Sequence, residues 1–216
     1  MELFLNEKLG KISYEIDLAA EASPALILAH GAGAGMDHPF MVSLGKMISA
    51  KGINVIRFNF PYKEQGRKMP GSSKHAIEAW KGILSEVKRT YSKSPIFISG
   101  KSYGGRMGSH LLHEYPDKGV DGIIYFGFPL HAPGRDSIER AAHLAHIRIP
   151  QLFLQGTRDK LANIELMKEV TGKLSNAELH EIDSADHSFN VPKAVASKEE
   201  MMELLAQKTA EWIANN

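Results

Sequence analysis

Short apolar segments alternate with amphipathic segments along the 216-residue chain. The segment ALILAHG, which begins at Ala25, is a continuous apolar run and is typical of a strand buried on both faces of a sheet. Further strands are predicted at NVIRFNF, PIFISG, GIIYFGF, QLFLQG and AELHEID. Because strands that alternate with helices specify a parallel sheet, we predict an α/β fold whose twisted, mostly parallel sheet has about eight strands.

Helices are predicted between these strands, on both faces of the sheet. The longest runs from about Ser73 to Tyr91, where Ile77, Trp80 and Leu84 recur at three- and four-residue steps. Other helices are predicted over about 39–50, 103–115, 138–145 and 163–174. The last helix starts with SKEE, in which Ser197 is the N-cap and forms a capping box with Glu200.

The N-terminal segments ELFLN and KISYEIDL are predicted as two strands joined by a turn near Gly10. Their link is too short for a parallel crossover, so we expect them to be antiparallel. The chain has no linker, low-complexity tract or internal repeat. We therefore predict that residues 1–216 form one domain.

Composition narrows the classes of function. The formal net charge is +1, so no strong field attracts nucleic acid or an anionic membrane, and we expect neither as a partner. The chain has no cysteine, which excludes disulfides, thiolate metal sites and cysteine nucleophiles. The N-terminus does not have a signal-peptide pattern, and no apolar run approaches the ~20 residues that span a bilayer. We expect a cytoplasmic protein.

The segment PIFISGKSYGG places a serine between glycines where a buried strand ends. A phosphate-binding loop would need a glycine at Pro95, which has no N–H group to offer a phosphate. The segment fits G-x-S-x-G, in which a strained strand-to-helix turn exposes a nucleophilic serine. Ser102 is therefore the candidate nucleophile, and Gly100 and Gly104 flank it.

Two further polar residues follow predicted strands in the order that this chemistry requires. Asp159 follows QLFLQG and His187 follows AELHEID, which gives the order serine, aspartate, histidine of an α/β-hydrolase triad. Histidine accepts the serine proton, and the carboxylate orients the imidazole. Asp183 and Asp186 are rival carboxylates, and we rank Asp186 lower because consecutive side chains seldom point toward each other.

A serine hydrolase also needs two N–H donors for the developing oxyanion. The first is expected from Tyr103, directly after the nucleophile, and the second from the glycine-rich segment HGAGAGMDHPF. We assign the second donor to Ala32, with Gly33 as the alternative. A dinucleotide-binding loop is excluded, because Met36 stands where G-x-G-x-x-G requires its third glycine.

The segments LAHGAGAGMDHPFM, VIRFNFPY, GKSYGGRM, PLHAPGR, LFLQGTRD and ADHSF together resemble those of small α/β-hydrolases of the dienelactone-hydrolase-like group. More closely, they resemble a family of testis-expressed hydrolase-like proteins and a subunit family of a histone-acetyltransferase complex. The resemblance implies an α/β-hydrolase fold with Ser102, Asp159 and His187 as triad. Dienelactone hydrolase itself uses a cysteine, so its lactone specificity is not carried over.

Four residues near the predicted strand ends are candidates for substrate binding: Gly33, His38, Tyr62 and His131. Lys101, inside the serine motif, is expected to form a structural ion pair with a carboxylate, and Arg106 is expected to be structural. The helical pairs His110 with His113 and His143 with His146 could begin a zinc site, but no third ligand is identifiable. We expect no metal and no cofactor.

The segment between GIIYFGF and QLFLQG is short for a hydrolase cap, which favours a small or accessible acyl group. The sequence therefore predicts a serine hydrolase that cleaves an ester, thioester or related bond through an acyl-enzyme. Its expected partner is a small-molecule acyl substrate. The alternatives are transfer of the acyl group to another acceptor and a non-catalytic interaction module, which the resemblance to a chromatin-complex subunit allows.

Overall fold

The structure is a computed structural model that describes residues 1–19, 23–116 and 119–216. Within these ranges one sheet has eight strands in the order β1-β2-β4-β3-β5-β6-β7-β8. The strands are β1 (Glu2–Asn6), β2 (Gly10–Asp17), β3 (Ala25–Ala29), β4 (Asn54–Phe58), β5 (Ile96–Lys101), β6 (Gly122–Phe126), β7 (Gln151–Gly156) and β8 (Ala177–Ile182). β1 and β2 form the predicted antiparallel pair, β2 is also antiparallel to β4, and the remaining pairs are parallel.

The helices connect the strands as the sequence predicts. They are α1 (Pro39–Ser49), α2 (Pro61–Glu64), α3 (Ser73–Thr90), α4 (Tyr103–Glu114), α5 (Ile164–Gly172) and α6 (Lys198–Ala214), with a 3₁₀ helix at Glu139–His146. The capping box of α6 is present, with Ser197 and Glu200 bonded reciprocally. α2 was not predicted, because a single turn is too short to show helical periodicity.

The two faces of the sheet carry separate hydrophobic cores. On one face, Ile27 and Ile98 of the central strands pack with the apolar stripe of α3, including Trp80. On the other face, Leu26 and Phe97 pack against α1 and α6. Because successive residues of a strand point to opposite faces, the continuous apolar runs fill both cores at once. The predicted α/β-hydrolase fold, with helices on both faces, is confirmed.

The strand topology indicates at which edge of the sheet a ligand is expected to bind. β3 and β5 to β8 are parallel, so their carboxyl ends meet at the same edge. Among the described residues, the segment between β6 and β7 has a 3₁₀ helix as its only helix, and this helix packs against α4, which confirms the minimal cap. Within the described ranges, no helix combines the length and the apolar composition needed to cross a bilayer.

Candidate active site

Ser102 lies on a strained turn between β5 and α4. Its backbone has φ 50° and ψ −113°, a combination that residues other than glycine rarely adopt. A Cβ added to Gly100 would lie 2.2 Å from the Gly105 nitrogen, and one added to Gly104 would lie 2.6 Å from the Ala29 carbonyl oxygen. The two glycines are therefore required by close backbone approach, which lets the helix turn directly off the strand.

Ser102, His187 and Asp159 lie in a continuous line of hydrogen bonds. The Ser102 Oγ is 2.9 Å from Nε2 of His187, and Nδ1 of the same ring is 2.7 Å from Oδ2 of Asp159. Since the carboxylate can only accept, Nδ1 carries the proton and Nε2 is left to accept from the serine hydroxyl. The structure thus brings together three side chains that are up to 85 residues apart.

The Asp159 carboxylate is enclosed by donors. Its side chain has no solvent exposure, and it also accepts from Gln155 Nε2 at 2.6 Å and from the Leu161 backbone N–H at 2.7 Å. These bonds fix the rotation of the carboxylate toward His187. Gln155 was missed by sequence reasoning. The available signal was an amide side chain near the end of the otherwise apolar strand β7.

Residues 183–190, here called the histidine loop, carry His187. Asp186 accepts from the backbone N–H groups of Ser188 and Asn190, each at 2.8 Å. Burial alone would raise the pKa of Asp186, but these hydrogen bonds outweigh it and the pKa lies below its usual value. The rival carboxylates thus have other partners, since Asp183 contacts Thr157 and its neighbour in the loop.

The glycine-rich segment after β3 forms a tight turn against Ser102. The Ala34 N–H donates to the Gly31 carbonyl at 3.3 Å, and Gly33 has φ +77°, as the third position of a type II turn requires. The Tyr62 hydroxyl donates to the Gly31 carbonyl at 3.5 Å. Ala32 lines the same cavity as Ser102 and Gly33 does not, which favours Ala32 over Gly33 as an oxyanion donor.

A cavity of about 500 Å³ opens above Ser102. Its lining combines the glycine-rich turn, the histidine loop and the start of α1. The His38 side chain lies on this lining and also caps α1 by accepting from the Phe40 N–H at 3.2 Å. Ser102, His187 and Ala32 therefore share one solvent-accessible cavity.

The alpha/beta hydrolase domain family matches residues 22–214 of this sequence, which is most of the chain. The chain belongs to this family.

Solved structures of α/β-hydrolases match over nearly the full length. A serine hydrolase homologue from Coxiella burnetii has a TM-score of 0.75 and 18% identity, covering 98% of this chain and 96% of that one. Dienelactone hydrolase from Anabaena variabilis has a TM-score of 0.79 and 17% identity, covering 100% of this chain and 95% of that one. An α/β serine hydrolase without lid from Xanthomonas campestris has a TM-score of 0.67 and 17% identity, covering 88% of this chain and 85% of that one. At these identities the similarity concerns the fold.

His30, which precedes the glycine-rich turn of this α/β-hydrolase chain, was missed as a positioning residue. It is fully buried, its Nδ1–H donates to the Gly31 carbonyl at 2.8 Å, and its Nε2 accepts from the Phe60 N–H at 3.1 Å. Burial lowers the pKa of His30 to about 4, so the ring is neutral at pH 7. A histidine that ends an apolar strand was the available signal.

Two of the expected substrate contacts need correction. Tyr62 is buried beside the rings of His30 and Phe60, and it holds the glycine-rich turn instead of lining the cavity above Ser102. His131 is 3% exposed, and both of its ring nitrogens are used, by the Ala132 carbonyl and the Asn163 N–H. A ring with no free nitrogen has no polar group to offer a substrate.

Lys101 does not form the ion pair expected from the sequence. The Lys101 ammonium donates to the His187 backbone carbonyl, and among the described residues no carboxylate lies within ion-pair distance of it. Arg106 has a buried Nε without a hydrogen-bond partner and lies close enough to Arg140 for mutual repulsion. The structural role expected for Arg106 stays a prediction.

The two histidine pairs meet between α4 and the 3₁₀ helix. The rings of His110 and His143 stack with their centres 3.9 Å apart, and the ring centres of His113 and His146 are 5.1 Å apart. Burial is the main cause that lowers the pKa of His110 to about 4 and of His143 to about 3. His110 and His143 are therefore neutral at pH 7, and within the described residues no three such groups are arranged to hold a metal ion.

Proposed function

We propose that this chain is a serine hydrolase that cleaves an ester, thioester or related acyl bond of a small substrate. Ser102 is the nucleophile, His187 the general base and Asp159 the group that orients the imidazole. The observation that carries the proposal is the pair of contacts at 2.9 and 2.7 Å that joins the three side chains, two of which, Ser102 and His187, line an open cavity.

In the acylation step, Ser102 Oγ attacks the substrate carbonyl while its proton passes to His187 Nε2. The imidazolium is stabilised by Asp159, whose charge is kept in place by two further donors. The carbonyl oxygen becomes an oxyanion, which the N–H groups of Tyr103 and Ala32 bind. The imidazolium then protonates the leaving group, and an acyl-enzyme remains.

Deacylation repeats these roles with water. His187 removes a proton from the attacking water, and the proton returns to Ser102 when the ester bond to the enzyme breaks. This sequence of proton transfers is complete with the residues of the chain and requires no cofactor or metal.

The open site favours a small or accessible acyl group. The segment between β6 and β7 contributes a single 3₁₀ helix, and a similar solved structure is described as a serine hydrolase without lid. Hydrophobic side chains of Phe40, Met41 and Leu161 line the cavity and suit a short acyl chain. The match to dienelactone hydrolase does not extend to its substrate, since this chain has no cysteine.

The proposal is tested by hydrolysis of p-nitrophenyl esters of increasing chain length. Ser102→Ala should reduce turnover to the uncatalysed rate, whereas Ser92→Ala, an exposed serine at the opposite end of β5, should leave it unchanged. Short esters should be preferred, and activity confined to long chains would contradict the open site. Addition of alcohol or amine acceptors separates hydrolysis from acyl transfer by its products. Folded protein that turns over none of the esters would favour the interaction module.

A further inference from the structure

We propose that Lys101 is a positioning residue that ties the histidine loop to the nucleophile elbow through a hydrogen bond to the His187 backbone. The inference rests on the proposed function for its catalytic consequence, but the tether itself can be tested without activity. Lys101 immediately precedes Ser102, so the bond joins the residue before the nucleophile to the residue that carries the base.

The contact is specific in its geometry. The Lys101 Nζ lies 2.5 Å from the His187 carbonyl oxygen and 5.3 Å from the centre of the Phe189 ring. A charged donor makes a stronger hydrogen bond than a neutral one, and an aromatic face adds cation–π attraction. The ammonium is thus held by two neighbouring residues of the histidine loop.

The space around the ammonium group is closely fitted. A Cβ added to Gly127, which follows β6 with φ +70°, would lie 3.2 Å from Lys101 Nζ and 3.5 Å from the His187 carbonyl oxygen. A residue with a side chain would be strained by its backbone and would press on both partners. β5, β6 and the histidine loop therefore converge on this one ammonium group.

Among the described residues, the other hydrogen bonds to the backbone of the histidine loop do not reach β5. Asp186 binds N–H groups within the loop, and the Ala185 carbonyl accepts from the Arg158 N–H of the segment after β7. These bonds fix the internal shape of the loop and its position against β7. Lys101 adds the direct link to β5, the strand that carries Ser102, and so controls the distance over which the proton moves.

The protonation state of Lys101 should affect this link. Burial lowers the pKa of Lys101 to about 8, while the negative charges of Asp159 and Asp186 oppose that change. These carboxylates and the His187 ring are the titratable groups that face the ammonium from the histidine loop and the end of β7. Above pH 8 the bond loses its charge assistance, so we expect activity to decline on the alkaline side.

The first experiment compares Lys101→Met with Lys93→Met, an exposed lysine before the other end of β5. Misplacement of a catalytic group by about 1 Å can reduce the rate about 100-fold, so we expect kcat of Lys101→Met to fall about 10- to 100-fold while KM changes less than about threefold. Hydrogen exchange should accelerate in a peptide that covers the histidine loop. Lys93→Met should change neither quantity.

Stability separates positioning from a purely structural role. The pKa of Lys101 in the fold lies below its unfolded value, so the buried charge weakens the fold below pH 8, and this cost disappears between pH 8 and 10.5. At pH 7 Lys101→Met should therefore melt no earlier than the parent chain although it is less active. A structural lysine would instead lower melting temperature and activity together.

A chemical rescue tests the charge itself. The chain has no cysteine, so Lys101→Cys carries a single thiol, which 2-bromoethylamine converts to an ammonium side chain of nearly the same length. The sample is alkylated in denaturant and refolded. The ammonium form should recover most of the lost kcat, whereas alkylation with 1-bromopropane, which gives a neutral chain of the same length, should not.

The outcomes are distinguishable from those of the proposed function. Unchanged kcat, alkaline profile and loop exchange in folded Lys101→Met would overturn the tether even if Ser102 is confirmed as nucleophile. An absence of hydrolysis by the parent chain would overturn the function, while loop exchange would still report on the tether. If Lys101→Met does not fold, the parent chain decides: its rate of labelling by a fluorophosphonate must decline above pH 8, and a flat rate to pH 10 contradicts the inference.

Discussion

Ser102 and His187 reach the same cavity, but the elbow that carries the serine and the histidine loop are held by different forces. At the elbow, backbone atoms of β3, β5 and α4 approach so closely that no side chain fits at Gly100 or Gly104. The histidine loop has room for side chains. Hydrogen bonds that Asp186 accepts set its shape, and the hydrogen bond that Lys101 donates links it to β5.

This difference separates the effects of substitution in the two regions. Steric contact between backbones is all-or-none, because interiors are close-packed and cannot give way. Hydrogen bonds contribute roughly 0.5–3 kcal/mol each, depending on charge, and can be removed one at a time. Substitutions of the elbow glycines Gly100 and Gly104 should therefore strongly destabilise the fold, and substitutions in the histidine loop should misalign the site within an intact fold.

The largest effect is expected at the elbow. Gly100→Ala would place its Cβ 2.2 Å from the Gly105 nitrogen, so the free energy of unfolding should fall by at least about 4 kcal/mol. Urea denaturation measures this loss. Gly71→Ala is the control, since an added Cβ there meets nothing within 4 Å, and stability should change by less than about 1 kcal/mol. Equal stability of the two variants would contradict the claim that close backbone approach excludes a side chain at Gly100.

The next effect concerns the base. Asp159→Asn removes the carboxylate that fixes the His187 tautomer, and kcat should fall by about 10³- to 10⁴-fold on a short ester. The fold should remain, as measured by circular dichroism and thermal melting. Asp183 is an exposed carboxylate of the histidine loop, and the Asp183→Asn variant should keep the activity of the parent chain. If the two variants were equally active, the assignment of Asp159 over its rival would be wrong.

A smaller effect is expected within the histidine loop. Asp186→Ala leaves the N–H groups of Ser188 and Asn190 without their acceptor, so the loop should sample positions in which His187 is out of reach of Ser102. We expect kcat to decrease about tenfold with little change in KM, on the scale of one or two lost charged hydrogen bonds. Steady-state kinetics checks this, and a decrease confined to KM would contradict it.

The smallest effect is an acid sensitivity of the glycine-rich turn. The pKa of His30 is lowered by burial from 6.5 to about 4, so below pH 6.5 the unfolded chain binds the proton that the folded chain resists. From pH 7 to pH 5 this residue alone should reduce the free energy of unfolding by about 2 kcal/mol. His30→Gln should weaken the dependence of the free energy of unfolding on pH. His180 is partly exposed, and His180→Gln should leave this dependence as it is in the parent chain.

Much of the fold and the central residues of the site follow from local patterns in the sequence. Short apolar runs such as ALILA and IFISG, bounded by turn residues, favour buried strands, and amphipathic spacing identifies α3 because one face must meet the sheet. Parallel strands place their carboxyl ends at one edge, so Ser102, Asp159 and His187 could be grouped from their positions alone.

The remaining features depend on contacts that no local pattern contains. The partner of Lys101 is a backbone carbonyl 86 residues away, which carries no signature in the sequence. Tyr62 follows a strand and was expected in the cavity, but the unpredicted helix α2 turns it toward His30. The histidine pairs face each other only because the 3₁₀ helix packs on α4.

The most direct measurement is the site of reaction with a fluorophosphonate, identified by mass spectrometry of the intact chain and its peptides. The account predicts one adduct per chain, on the peptide that contains Ser102, and a rate of labelling at least about 100-fold lower in His187→Ala, as removal of the base from a serine nucleophile requires. An unlabelled folded chain, an adduct at another residue, or equal labelling of His187→Ala would contradict it.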